Sequence, residues 1–113
     1  MKKLLAVIVF FVSLCGHAQN EQLANNYFDR GEFEKALVSY EELLKGQQGN
    51  TNYFQRVVEC YQQLQQYDKA EKAIQARLDK YRQNTLLVEL GYNYQLQKNQ
   101  EKANKYFDQA IDK

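Results

Sequence analysis

A repeated pattern with a period of 34 and then 33 residues is the feature of this sequence that most limits its fold. Three segments align when Ala36, Ala70 and Ala103 are superposed, and each alanine directly follows an acidic residue and a lysine. A bulky apolar residue stands four positions after each alanine, and a tyrosine stands nine positions before it. A fixed period of this length is typical of proteins built from stacked copies of one supersecondary unit.

The apolar residues within each copy recur at the spacing of one helical face, three or four residues apart. The chain contains no proline and only 5 glycines in 113 residues, which favours long helices over a loop-rich β domain. We therefore predict six helices, at about 20–30, 33–45, 52–64, 67–81, 85–97 and 100–112.

The turns and helix starts carry local signals. Gly31 suits a left-handed helix end in the first turn, and Asn99 is the residue of the third turn that best tolerates this conformation. Thr51 and Thr85 are predicted to cap the helices that follow them, because a threonine hydroxyl can accept a hydrogen bond from an unpaired backbone N–H.

These repeated residues resemble the tetratricopeptide repeat, a helix–turn–helix unit of 34 residues. Five apolar positions that define this repeat correspond to Leu23, Ala24, Tyr27, Ala36 and Tyr40, then to Val57, Val58, Tyr61, Ala70 and Ile74, and then to Leu90, Gly91, Tyr94, Ala103 and Phe107. The tryptophan and the proline of the family pattern are absent.

The resemblance implies an all-α fold, a right-handed superhelical array of three repeats. We predict that this array follows an N-terminal signal peptide over residues 1–18. The repeats would span residues 19–50, 51–83 and 84–113. The residues expected to pack the helices together are Ala24, Tyr27, Ala36, Val58, Tyr61, Ala70, Gly91, Tyr94 and Ala103.

The first eighteen residues have the three parts of a secretory signal peptide. Lys2 and Lys3 precede an apolar run over residues 4–14, and small residues at Gly16 and Ala18 favour cleavage before Gln19. The apolar run spans roughly 16 Å as a helix, which is too short for a hydrocarbon core of about 30 Å. The pattern resembles signals of Gram-negative bacteria and predicts a periplasmic or outer-membrane-associated product. Lipidation at Cys15 is the alternative.

The chain after the signal peptide has little chemistry for catalysis. It would contain no histidine and one cysteine, Cys60, so it lacks the commonest general base and the ligands of a zinc site. No nucleotide-binding or nucleophile motif is present. The net charge of the whole chain is +1, so the sequence lacks the excess of positive charge that is typical of nucleic-acid-binding proteins. We predict a protein that is not an enzyme and that uses no cofactor or metal.

Members of the tetratricopeptide repeat family bind peptides in a concave groove lined by the first helix of each repeat. The resemblance implies groove candidates that are rich in amides at one end and apolar at the other: Asn25, Phe28, Gln55, Glu59, Gln62, Val88, Tyr92 and Gln95. The lysines and arginines with which some members clamp a terminal carboxylate are absent from these positions.

The predicted function is an exported scaffold that binds a protein or peptide partner on its concave face, with no membrane span after cleavage. Two alternatives stay open. The chain is the N-terminal structural segment of a larger secreted protein, or it is a lipid-anchored accessory protein of the outer membrane. An apolar face on the last helix, around Phe107 and Ile111, favours either self-association or continuation of the array.

Overall fold

Helices make up almost all of the computed structural model, which describes residues 20–112. Helix α1 covers residues 20–29, and it is followed by α2 (Phe33–Gly46), α3 (Thr51–Gln63), α4 (Tyr67–Tyr81), α5 (Asn84–Leu96) and α6 (Gln100–Ile111). No strand occurs within residues 20–112. The all-α prediction is confirmed, and every helix end lies within one residue of its predicted place. The predicted signal peptide over residues 1–18, with Cys15, lies outside the described residues.

The chain divides into two compact units, with the boundary between Arg56 and Val57 inside α3. In the first unit, α1 and α2 form a hairpin whose completely buried residues include Ala24 and Ala36. In the second unit, α5 packs against α4 and α6. The buried residues of the second unit are Val57, Val58, Cys60, Ala70, Ile74, Leu86, Leu90, Gly91, Asn93 and Ala103. The three alanines that define the period are all completely buried.

The turn inside each repeat has the same backbone geometry in all three copies. Gly31, Gln65 and Lys98 stand at equivalent positions and have φ values of 77°, 58° and 61°. In each turn the N–H of this residue donates to the carbonyl three residues earlier, and the next N–H donates to the carbonyl five residues before it. This pair of bonds is the Schellman motif. The third left-handed residue is therefore Lys98, and the expectation for Asn99 was wrong.

Replacing Lys98 by glycine should raise the free energy of unfolding. A left-handed conformation costs an L-residue about 1 kcal/mol or more, whereas glycine adopts it freely and loses somewhat more backbone entropy. We expect a net gain of roughly 0.5–1 kcal/mol for Lys98→Gly in urea denaturation followed by circular dichroism. Gly31→Ala, the reverse change at the equivalent turn, should lower stability by a similar amount. A loss of stability in Lys98→Gly would contradict this account.

The helix caps differ from the predicted ones. Helix α3 begins at Thr51, and its N-terminus is capped by Asn50, whose Oδ1 accepts a bond of 3.0 Å from the N–H of Tyr53. Helix α5 begins at Asn84, so Thr85 lies inside it, and Gln83 at the cap makes no side-chain bond. The predictions for Thr51 and Thr85 were therefore wrong. Thr51 is already the first residue of the helix, so the cap position falls on Asn50, and asparagine is among the preferred residues there.

Candidate functional site

Two groove candidates on α1 make contacts inside the first unit. The Oδ1 atom of Asn25 accepts a hydrogen bond from the hydroxyl of Tyr40 on α2. The ring of Phe28 lies edge-on to Phe33 at a centroid distance of 5.3 Å, and the guanidinium carbon of Arg56 lies 4.1 Å from its centroid. Both side chains therefore help to hold α1 on its neighbours in this unit. Their contact with a partner stays a prediction.

Tyr53, at the start of α3, belongs to the core of the first unit. Its side chain is buried, and its ring centroid lies 6.4 Å from that of Tyr40. Burial raises the pKa of Tyr53, and the nearby carboxylate of Glu21, to which the hydroxyl is hydrogen-bonded, raises it further. The remaining candidate in this unit, Gln55, is half-buried.

A buried polar network in the second unit joins three helices. Asn93 on α5 is completely buried, and its Oδ1 accepts a bond of 3.2 Å from Nε2 of Gln62 on α3. Its Nδ2 donates a bond of 3.0 Å to the carbonyl of Tyr67, the first residue of α4. Gln62, a groove candidate, therefore makes an internal contact. Sequence reasoning missed Asn93. The alignment of the repeats could have found it, because Asn93 occupies the same repeat position as Cys60, which is also completely buried.

Tyr94 packs the third repeat through a second polar contact. Its hydroxyl donates to a carboxylate oxygen of Glu71 on α4, and its ring stacks on Tyr106 of α6 at a centroid distance of 5.7 Å. The hydrogen bond to Glu71, followed by burial, raises the pKa of Tyr94 well above its ordinary value of 10.0. The hydroxyl therefore stays protonated at neutral pH and serves as a structural donor.

Helix α5 carries an exposed apolar stripe formed by Val88, Tyr92 and Leu96, which we name the α5 ridge. These residues are spaced four apart, so they lie along one face of the helix. Their exposed fractions are 48%, 49% and 37%, whereas Leu90 on the same helix is completely buried. The candidate Gln95 is exposed beside the ridge, and the candidate Glu59 on α3 is half-buried. The structure thus brings Val88, Tyr92 and Gln95 together on the exposed face of α5.

A second apolar surface lies on the first unit. Leu23 and Val38 are 43% and 63% exposed, and they line a shallow groove of about 410 Å³ between α1 and α2 together with Tyr27 and Lys35. Leu23 is equivalent to Leu90, which is completely buried. Leu90 lies on α5, which packs against both α4 and α6.

Neither a metal cluster nor a membrane-spanning helix is found within residues 20–112. No three residues of the metal-binding types histidine, cysteine, aspartate and glutamate lie grouped as a metal ion requires in this part of the chain. None of the helices in the same range combines the length and the apolar character that crossing a bilayer demands.

Two family models match the sequence, and both are described as tetratricopeptide repeat. The first matches residues 27–90 and the second matches residues 85–112. Because the first match alone covers more than half of the sequence, the chain belongs to the tetratricopeptide repeat family. Repeats of this family form extended surfaces for binding other proteins and are generally not catalytic. No curated protein sequence matches the chain.

Solved structures with a similar fold include two helical repeat proteins. The structure of MamA MSR-1 C2 has a TM-score of 0.66 and 17% identity over 84% of this chain. PcrH, solved in complex with the chaperone binding region of PopB, has a TM-score of 0.65 and 17% identity, also over 84% of this chain. The match covers 55% of the MamA chain and 77% of the PcrH chain, so this chain spans about half the length of the former.

Proposed function

We propose that this protein is an exported interaction scaffold that binds a protein or peptide partner on its concave face, the surface formed by the first helices of the repeats. The observation that carries the proposal is the α5 ridge, because large apolar side chains stand there on a first helix without being used in the core. The complex of PcrH with a region of PopB supports it, since a similar fold there holds a segment of another protein.

Export of the protein is proposed from the sequence alone. The lysines at positions 2 and 3, the apolar run that follows and the small residues before Gln19 support secretion to the periplasm or the outer membrane. Mass spectrometry of the protein recovered from the cell envelope tests this. A mature N-terminus at Gln19 is expected, an acylated Cys15 would establish the lipidated alternative, and an intact Met1 would contradict processing.

Recovery of a partner from envelope extract tests the binding proposal. Immobilised protein should retain at least one envelope protein, and Tyr92→Ala should abolish that retention, because it removes the largest exposed side chain of the α5 ridge. Val38→Ala is the matched control, since Val38 is an exposed apolar residue of α2 in the other unit. Equal loss in both variants, or retention in neither the parent nor the control, would contradict the proposal.

A further inference from the structure

We propose that copies of this chain associate head to tail, with helix α6 of one copy packed on the groove between α1 and α2 of the next copy. The surfaces involved differ from the α5 ridge, so the inference goes beyond the proposed function and does not depend on it. Three observations carry it: a helix contact inside the second unit that serves as a template, exposed residues at the equivalents of both sides of that contact, and opposite charges beside them.

The template is the contact between α4, the second helix of one repeat, and α5, the first helix of the next repeat. The hydroxyl of Tyr94 on α5 donates to the carboxylate of Glu71 on α4, so these two residues mark the faces that meet. Leu90 lies four residues before Tyr94 on the same face of α5 and is completely buried. Leu78 lies seven residues after Glu71 on the same face of α4 and is half-buried. The contact thus has one apolar and one polar position on each side.

The groove between α1 and α2 exposes the equivalents of the α5 side. In the alignment of the repeats, Leu23 corresponds to Leu90, and Tyr27 corresponds to Tyr94. Both Leu23 and Tyr27 line the groove of about 410 Å³, and Leu23 is 43% exposed. Val38 lines the same groove and is also exposed. A helix seated there would remove this apolar surface from water, and Leu90 is removed from water in the second unit.

Helix α6 exposes the equivalents of the α4 side. Ile111 corresponds to Leu78, and Asn104 corresponds to Glu71. Ile111 is 78% exposed and Asn104 is exposed as well, whereas their equivalents in the template are half-buried. The second helix of one copy therefore has the residues to cover the first helix of another copy. A contact between two different surfaces of the same chain is heterologous, so it joins copies head to tail.

The hydrogen bond of the template can be reproduced between copies. Tyr27 has the same hydroxyl as Tyr94. Asn104 offers an amide oxygen where Glu71 offers a carboxylate. This Oδ1 atom of Asn104 accepts a bond of 2.7 Å from Nε2 of Gln100 and retains a second lone pair. It can therefore accept a hydrogen bond from the Tyr27 hydroxyl of a second copy, which satisfies the polar position of the contact.

Opposite charges lie beside the two surfaces. The cationic groups of Arg30 and Lys35 lie 5.9 Å and 5.7 Å from the centroid of the tyrosine ring that lines the groove. Glu32 offsets one of these two charges, since its carboxylate lies 3.5 Å from Arg30 and 3.6 Å from Lys35. Glu101 on α6 is equivalent to Asp68, whose negative charge contributes to the raised pKa of the template tyrosine. The docked arrangement therefore places a carboxylate beside a site of net positive charge, which favours this pairing of surfaces.

Sedimentation velocity of protein purified after expression of the full chain tests the inference. The mean mass should rise between about 10 µM and about 1 mM and exceed that of a dimer, because a head-to-tail contact leaves an unpaired surface at each end of the assembly. Leu23→Asp and Ile111→Asp should each remain monomeric, since either change places an unpaired charge in the contact. Val88→Asp is the matched control, because Val88 is an apolar residue outside both surfaces with a similar exposed fraction, 48%. It should associate as the parent does.

An equimolar mixture of Leu23→Asp and Ile111→Asp tests the head-to-tail geometry. The first variant retains an intact α6 surface, and the second retains an intact groove. The mixture should therefore form a dimer and nothing larger, although each variant alone is monomeric. A mixture that stays monomeric would overturn the inference. Dissociation by only one of the two substitutions would also overturn it, because the contact would then join two identical surfaces.

Three other outcomes contradict the inference and leave the proposed function standing. They are a parent protein that stays monomeric up to about 1 mM, oligomers that persist in both aspartate variants, and dissociation caused by Val88→Asp. Circular dichroism of each variant verifies that it is folded. Where an aspartate variant lacks the helical spectrum, Leu23→Ser or Ile111→Ser takes its place, and it should lower the mean mass in the same direction.

Discussion

Asn93→Asp should lower the free energy of unfolding by about 3–5 kcal/mol at pH 7, because it places a carboxylate in a completely buried site. The amide donates to the carbonyl of Tyr67, and a carboxylate oxygen cannot do so. A loss of 1 kcal/mol lowers the Tm of a domain of this size by roughly 4–8 °C, so thermal unfolding by circular dichroism should show a fall of at least about 12 °C.

The effect of Asn93→Asp should depend on pH. Burial raises the pKa of the introduced carboxyl in the folded state above its unfolded value of about 3.9. Protonation therefore favours the folded variant, so the deficit should be smallest below about pH 4 and should grow as the pH rises through the folded-state pKa. Asn26→Asp is the matched control, since Asn26 is the exposed equivalent in α1, and it should change stability by less than about 0.5 kcal/mol. A deficit that does not vary with pH would contradict the buried-charge explanation.

Gly91→Ala should lower the free energy of unfolding by about 1–2 kcal/mol. A Cβ atom at this position would lie 2.4 Å from Cε1 and 2.6 Å from Cδ1 of Phe107 on α6, so the ring must move. Overpacking of this kind costs about 1–3 kcal/mol, which exceeds the gain of about 0.5–1 kcal/mol that alanine brings to a helix interior. Urea denaturation followed by circular dichroism measures the difference.

Two comparisons isolate the contact between Gly91 and Phe107. Gly46→Ala, at the end of α2, introduces a Cβ atom with no heavy atom within 4 Å and should leave stability unchanged or slightly higher. In the background of Phe107→Ala the same Gly91→Ala change should become neutral or stabilising, since the overlapping ring is gone. If Gly91→Ala costs the same with and without Phe107, the steric account is wrong.

The helices were predictable from the sequence because three aligned copies report the same periodicity. Averaging over repeats suppresses the noise of any single segment, and this is why the helix ends differ by one residue at most. The turns were less predictable. Propensity favours Asn99 for a left-handed conformation, but the position of the Schellman motif is set by the helix that precedes it, and that position holds Lys98.

The sequence predicts which residues lie on the candidate surface, but it does not predict which of them are free to contact a partner. A residue on the outer side of a first helix is readily identified, but its side chain can bond either to a partner or to its own chain. Asn25 and Gln62 bond within the chain, whereas Tyr92 remains half exposed. Asn93 was missed because a single asparagine in an apolar stripe looks like a surface residue until the equivalent cysteine is compared.

The amide of Asn93 also has a consequence for folding fidelity. Smooth apolar helices can slide past one another by one turn, about 5.4 Å, and still bury nearly as much hydrocarbon. If α3, α4 and α5 packed in a shifted register, the buried Asn93 amide would lose its hydrogen bonds to Gln62 and Tyr67. The Asn93 side chain therefore raises the free energy of a shifted helix packing by more than it lowers the free energy of the native packing.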